Sequence, residues 1–212
     1  PHSFSLSAHN HTVSHQFISH KEGWLNEKPH HHFNAGAVCG DWWQGALDAN
    51  NLPDATMRDG SPNGYVILSI SHNSYSFDYK VARYPETYQM NIFLPKVLTD
   101  NSNLNGWSND EMYVNFFAGS SKDKVRFRVN EGEWREMKYT IGPDPSYARI
   151  RLMWDDAEGL LPGARPSAPD KCYHLWKATL PSGIPQGYCK IEVEATDIFG
   201  NKHSAFQVTH VK

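Results

Sequence analysis

The sequence predicts an all-β protein assembled from short antiparallel strands. No window of a dozen residues repeats apolar positions at spacings of three and four, so helical amphipathicity is nearly absent. In its place come short apolar or alternating runs separated by clusters of Gly, Pro, Asn and Asp, the pattern of strands and turns. Aromatic residues make up 13% of the chain, with 7 Trp, 10 Tyr and 10 Phe, which points to β-structure or to a carbohydrate-like surface.

Taken in order, the strand-like runs are residues 4–7, 31–38, 65–71, 74–82, 90–94, 113–118, 124–130, 173–180, 188–196 and 206–211. Turn chemistry lies between them: Asp59-Gly60-Ser61-Pro62-Asn63-Gly64, read as a tight hairpin turn, then Asn105-Gly106, Glu131-Gly132 and Phe199-Gly200-Asn201. Residues 155–163 suit one short helix or turn. Residues 96–110 crowd polar turn formers without apolar period and mark the best internal boundary. The expected division is therefore 1–98, a linker at 99–111, and 112–212. In the last part, 113–117 and 125–129 alternate cleanly. About seven short strands in roughly 100 residues is the size of an immunoglobulin or fibronectin-like β-sandwich.

The bulk numbers exclude several classes. Charged residues are 20% against 39% hydrophobic, a globular balance, and the formal charge of −3 provides no basic field for nucleic acid or anionic lipid. No stretch approaches the roughly 20 apolar residues of a membrane helix, and the first residues do not read as a secretory signal. The three cysteines, Cys39, Cys172 and Cys189, are too few and too scattered for a disulfide framework or a thiolate zinc site. Cys172 and Cys189 suit either two buried thiols or, in an oxidising compartment, a pair.

The segment with chemical content is Ser5-Leu6-Ser7-Ala8-His9-Asn10-His11-Thr12. In extended backbone, residues two apart point the same way, so His9 and His11 are expected to face one site. Neutral imidazole is a good ligand for Zn, Mn or Fe. On its own the spacing also suits two solvated strand residues. The segment resembles the last motif of the calcineurin-like phosphoesterases, Gly-His-x-His, with Ala8 in the glycine position. Two later stretches are similar to the strands that close the phosphoesterase sandwich: Phe33-Asn34-Ala35-Gly36-Ala37-Val38-Cys39-Gly40-Asp41-Trp42-Trp43, then the Asp59–Gly64 stretch with Tyr65. Residues from about 112 resemble the C-terminal module of bacterial members, notably 124–134, His174-Leu175-Trp176-Lys177-Ala178 and 194–200.

That resemblance implies two divalent metal ions (Mn, Fe or Zn) acting on a phosphate-ester substrate, with His9 binding one ion and His11 the other. It implies that this stretch comes after the catalytic bulk. The Asp-x-His, Gly-Asp-x-x-Asp and Gly-Asn-His-Glu/Asp motifs of the family are not found in the 212 residues; Gly40-Asp41-Trp42-Trp43 is similar to the second but lacks its later Asp. Alone, the chain is expected to be inactive, to leave strand edges that a second copy would cover as a homodimer, and, by resemblance only, to have a periplasmic or other extracytoplasmic address.

Other features have plainer readings. His30-His31-His32 reads as a solvated or core-edge strand rather than a metal site, and His15 and His20 as surface residues. Of Trp42 and Trp43, one is expected in the core and the other along the substrate cleft. Trp107, Trp134, Trp154 and Trp176 suit a sugar-stacking platform or a sandwich core, with Trp134 and Trp176 assigned to the core. The competing functions are therefore a phosphoesterase C-terminal portion, a carbohydrate- or surface-binding β-module, and a structural sandwich bracing a catalytic domain.

Overall fold

The computed structural model describes residues 3–94, 97–98 and 110–211. Trp107, the Asn105-Gly106 turn and most of the expected linker lie outside them. The architecture is mostly β. An N-terminal sheet of β1 (Phe4–Ser7), β2 (Val13–Ile18) and β3 (His30–Ala35) has the order β1-β3-β2, with β1 parallel and β2 antiparallel to the central strand. β4 (Gly45–Ala46) is short, and β5 (Gly64–Ser71) and β6 (Ser74–Val81) form a hairpin turning at His72-Asn73.

The rest is a two-sheet sandwich. One sheet holds β7 (Met90–Phe93), β9 (Glu111–Phe116), β12 (Lys138–Pro143) and β14 (Lys171–Thr179) in the order β12-β14-β9-β7. The other holds β8 (Val97–Leu98), β10 (Lys124–Val129), β11 (Arg135–Glu136), β15 (Gly187–Thr196) and β16 (Lys202–Val211) in the order β11-β10-β15-β16-β8. β13 (Gly163–Ala164) pairs with β4. Period-two alternation turns Val125 and Phe127 of β10 and Ile191, Val193 and Ala195 of β15 inward, against Met112, Val114 and Phe116 of β9 and Trp176 of β14.

Several expectations are revised. Run 90–94, placed by sequence before the linker, belongs by pairing to the later sheet, with Met90 opposite Phe116 and Phe93 opposite Tyr113. β2 and β12 escaped the sequence reading. In β2 a half-buried polar residue, His15, occupies an inward position of the alternation. The helix α1 (Pro145–Asp155) lies just before the segment expected to hold one. Asp144 caps it and Pro145 opens it, signals legible in the sequence, but it buries only Pro145, Tyr147 and Ala148, too short an apolar stripe to show periodicity. Trp176 is buried as expected, whereas Trp134 lies outside the core under Arg126 and Arg128, 4.7 and 4.8 Å from its ring. Cys172 and Cys189 are both buried and unbridged, on different sheets of the sandwich.

The two parts share a second core. Phe33 of β3, Val13 of β2, Met57, and Phe77, Tyr79 and Val81 of β6 pack with Phe117, just after β9, and with Phe199 from the β15–β16 turn. Beside this core runs a partly buried hydrogen-bond chain. His15 Nε2–H donates to the Ala118 carbonyl (2.8 Å), so its Nδ1 accepts from His31 Nε2–H (2.7 Å), whose Nδ1 accepts the Tyr75 hydroxyl proton (2.6 Å). Burial holds His15 down to about 3 and His31 to about 4. The expected surface position of His15 is thus corrected.

A polar junction closes the contact. Asp59, Ser61, Asn115, Asp144 and His174 are all buried. Asp59 Oδ1 accepts from Ser61 N–H (2.9 Å), while Oδ2 accepts from Val13 N–H and lies 3.2 Å from His174 Nε2. Asn115 Nδ2 donates to the Asp59 carbonyl (3.1 Å) and to Asp144 Oδ2 (3.0 Å), and Asn115 Oδ1 meets His174 Nδ1 (2.7 Å). Residues 59–64, expected as a hairpin turn, are instead the buried joint between the parts.

Gly60 in this joint has φ +84°, and a Cβ there would lie 2.5 Å from Asp144 Cγ and 2.7 Å from Asn115 Nδ2. Gly60→Ala is expected to destabilise the fold by about 3 kcal/mol or more in urea unfolding; an unchanged midpoint would remove the joint from this role. For His15, the unfolded chain takes up a proton between about pH 6.5 and 3 that the folded chain refuses. Stability from this group is therefore full above pH 6.5 and falls as pH drops. Asp123 and Asp144, pushed up to about 6 by burial, act in the opposite sense, so the term is read as a difference. Relative to His15→Gln, the wild type should lose up to about 1.4 kcal/mol per pH unit on acidification; a pH-independent difference would contradict it.

Candidate functional site

β1 ends at Ser7, and the backbone then leaves the extended region: His9 has φ 92° and His11 φ 53°, both left-handed. The expected same-face pairing on an extended strand is therefore replaced by a turn. Ala8, where the resemblance expects glycine, is not among the positive-φ residues, so its methyl is no conflict. Four contacts fix the turn. Arg58 Nη2 donates to the Asn10 carbonyl (3.1 Å), Asn34 Nδ2 to the Thr12 carbonyl (2.9 Å), Val13 N–H to Asp59, and His11 Nδ1–H to the Gly40 carbonyl. A carbonyl only accepts, so His11 carries a proton on Nδ1, and the neutral ring then has its lone pair on Nε2. That is the tautomer of a histidine ready to ligate through Nε2, with its other nitrogen held by a backbone carbonyl. His11 is largely buried and His9 exposed.

Asn34 does more than hold Thr12. With Nδ2 donating to the carbonyl, its Oδ1 accepts the Ser7 hydroxyl proton (3.3 Å). Ser7 Oγ must then accept from His32 Nε2 (2.9 Å), leaving His32 Nδ1 to accept from Ser5 (2.8 Å). Ser5 in turn accepts from His30 Nε2 (2.8 Å), and His30 Nδ1 from Ser3 (3.3 Å). For neutral rings, one amide orientation sets every proton along the β1–β3 face. His30 and His32 are thus engaged in a structural ladder.

The second wall is the loop 39–44. Gly40 has φ 61°, and a Cβ there would fall 1.5 Å from the Ala55 carbonyl oxygen, so only glycine fits. Asp41 is fully buried; its Oδ2 accepts from Ser167 N–H (2.8 Å) and from the Tyr147 hydroxyl (3.3 Å), tying the loop to α1 and the segment after β13. Asp41 Oδ1 and Arg58 Nε are buried without a partner among the described residues. Trp42 and Trp43 come next with φ 54° and 57°, a conformation costing about 1–2 kcal/mol per bulky residue. Both are exposed, at 61% and 49%, which corrects the expectation that one packs in the core. The His11 ring stacks on Trp42 with centroids 4.5 Å apart and planes 18° from parallel.

The structure therefore brings His11 and Trp42 together, with Trp43 next in the chain and His9 on the same turn. Among the described residues no three His, Cys, Asp or Glu side chains converge as a metal shell. Of the two imidazoles, His11 has a tautomer suited to ligation, and His9 is exposed on the same turn. Sequence reasoning missed Asn34, Arg58, Asp59 and the Gly40 carbonyl. Asp59 was visible only as turn chemistry, and a backbone carbonyl leaves no residue-type signal.

Because the indoles gain little burial in a costly backbone, Trp43→Gly is expected to leave stability within about 1 kcal/mol. Trp176→Gly, at a buried core position, is expected to cost about 3 kcal/mol or more. Chemical denaturation of the two variants checks this; an equally large loss at Trp43 would make that residue a packing element.

The family described as C terminal of Calcineurin-like phosphoesterase matches residues 32–203. His9 and His11 lie just upstream of the matched stretch, whereas the 39–44 loop and the Asp59 joint lie within it. No curated protein and no solved structure shows a significant match. With most of its length matched, from β3 into β16, the chain belongs to the family of C-terminal regions of calcineurin-like phosphoesterases.

Proposed function

We propose that this chain provides the C-terminal portion of a metal-dependent phosphoesterase, in which His9 and His11 ligate divalent ions and Trp42 and Trp43 border the phosphate-ester substrate. The observation that carries the reading is the Nδ1–H of His11 held by the Gly40 carbonyl, which leaves Nε2 free beside an exposed indole. When bound, divalent ions of the Mn, Fe or Zn type supply Lewis acidity toward a phosphate ester. The chain's own residues do the positioning. Arg58, Asn34 and Asp59 fix the His9–Val13 backbone, and the segment between β12 and β14 braces the facing loop through Tyr147 and Ser167. A carboxylate bridging two ions is supplied by none of the motifs in this sequence, so the sandwich acts as an accessory brace and the chain alone as a partial site.

Co²⁺ titration followed by visible absorption tests this. The wild type should bind, His11→Ala should weaken binding about 10-fold or more, and Asn34→Ala should weaken it less. Binding unaffected by substitution at both His9 and His11 would sink the assignment. Hydrolysis of an aryl phosphate by the chain with Mn²⁺ or Zn²⁺ is expected to be absent; turnover lost in His9→Ala would show a complete centre instead.

A further inference from the structure

We propose that the ester bound at this site carries a planar aromatic ring, a nucleobase or an aryl group, that stacks on the outward face of Trp42. The inference rests on the phosphoesterase reading above and adds the chemical class of the organic moiety.

Three independent features of the 39–44 loop lead to it. Two consecutive tryptophans occupy left-handed backbone while remaining 61% and 49% exposed, so core packing does not explain why the conformation is kept. The strain is held from below: Gly40 admits no side chain, and buried Asp41 is fastened to Ser167 and Tyr147. The indoles are thus presented on a fixed support, and a ligand meeting them has little ordering to overcome.

The second feature is the His11–Trp42 stack, nearly parallel at 18° and one-sided. His11 stacks on one face of the indole while 61% of Trp42 stays exposed, and the outward face is the one assigned to the ligand. A flat ring laid there continues a series of parallel π-faces, the arrangement that gives sequence-tolerant stacking to bases and aryl groups alike.

The third is proximity. The imidazole in contact with Trp42 is the one whose Nε2 is free, so a phosphate held near that nitrogen lies within one ring layer of the indole. A net charge of −3 offers no track for a polyanion, which favours a small ester over a nucleic-acid strand.

The experiment uses the intact 212-residue chain with AMP, phenyl phosphate, glucose 6-phosphate and glycerol 2-phosphate, each titrated against indole N–H signals in NMR spectra. Ring-bearing AMP or phenyl phosphate should bind about ten-fold tighter than glycerol 2-phosphate. That advantage should vanish in Trp42→Ala and survive in part in Trp42→Phe. Binding of AMP without phenyl phosphate identifies a nucleobase, whereas equal binding identifies any aryl ring. Equal affinity for all four, tighter binding of glucose 6-phosphate, no binding at all, or an aromatic preference that persists in Trp42→Ala would each overturn the inference. Co²⁺ absorption measured in parallel separates the two readings. Metal binding without ring preference defeats only the ring, and ring preference without metal binding defeats only the metal assignment.

Discussion

The buried carboxylate of Asp59 is the group on which the rest of the arrangement depends. A carboxylate removed from water without partners costs several kcal/mol. Here its partners come from three places: its own turn through Ser61, the start of β2 through Val13, and the sandwich through His174. A hydrogen bond of this kind contributes about 0.5–1.5 kcal/mol net, and losing one leaves a buried polar group short of a partner. Val13 is also the residue that ends the His9–His11 turn. The contact that joins the two parts of the fold is therefore the same one that anchors the candidate ligands. Asn115 extends the joint by reading the Asp59 carbonyl and the Asp144 cap of α1 with one amide nitrogen.

How far the sequence disclosed this depends on which residues carry the information. The sandwich strands were legible because Val125, Phe127, Ile191 and Val193 alternate with charged neighbours, and alternation is a local signal. β2 was not, because its inward His15 is polar and becomes explicable only once Ala118 and His31 are brought beside it. The helix was overlooked because its apolar contact is one turn long. Run 90–94 was assigned to the wrong side of a real composition change, since pairing with β9 is a long-range fact that no neighbouring residue encodes. At the site, His9, His11, Trp42 and Trp43 were named from residue type and resemblance. Their geometry was not accessible: left-handed backbone at His and Trp contradicts local preference, and local preference is all that a single sequence supplies.

Left-handed residues without a glycine are unfavourable wherever they fall, and here His9 and His11 share one turn, Trp42 and Trp43 share one loop, and the His11 ring stacks on Trp42. The cost is met by rigid surroundings, namely the four contacts on the turn and the Asp41 fastening of the loop. At the exposed positions, His9, Trp42 and Trp43, Gly or Asn would remove the strain with little loss of packing. Two imidazoles and two indoles held in this backbone give the strain a use where the turn meets the loop.

The histidines show how selectively that surface is equipped. His15 and His31 spend both ring nitrogens on a partly buried chain, His30 and His32 spend theirs on the serine ladder, and His174 spends its own on the Asp59 joint. A ring with both nitrogens committed must break a hydrogen bond before it can ligate anything, and for a buried ring that leaves an orphaned partner behind. His11 differs in that its one commitment, to the Gly40 carbonyl, fixes the ring without using the ligating nitrogen. Five of the 12 histidines are thus committed to structure, and the chemistry concentrates where a histidine is held firmly by one nitrogen and free at the other.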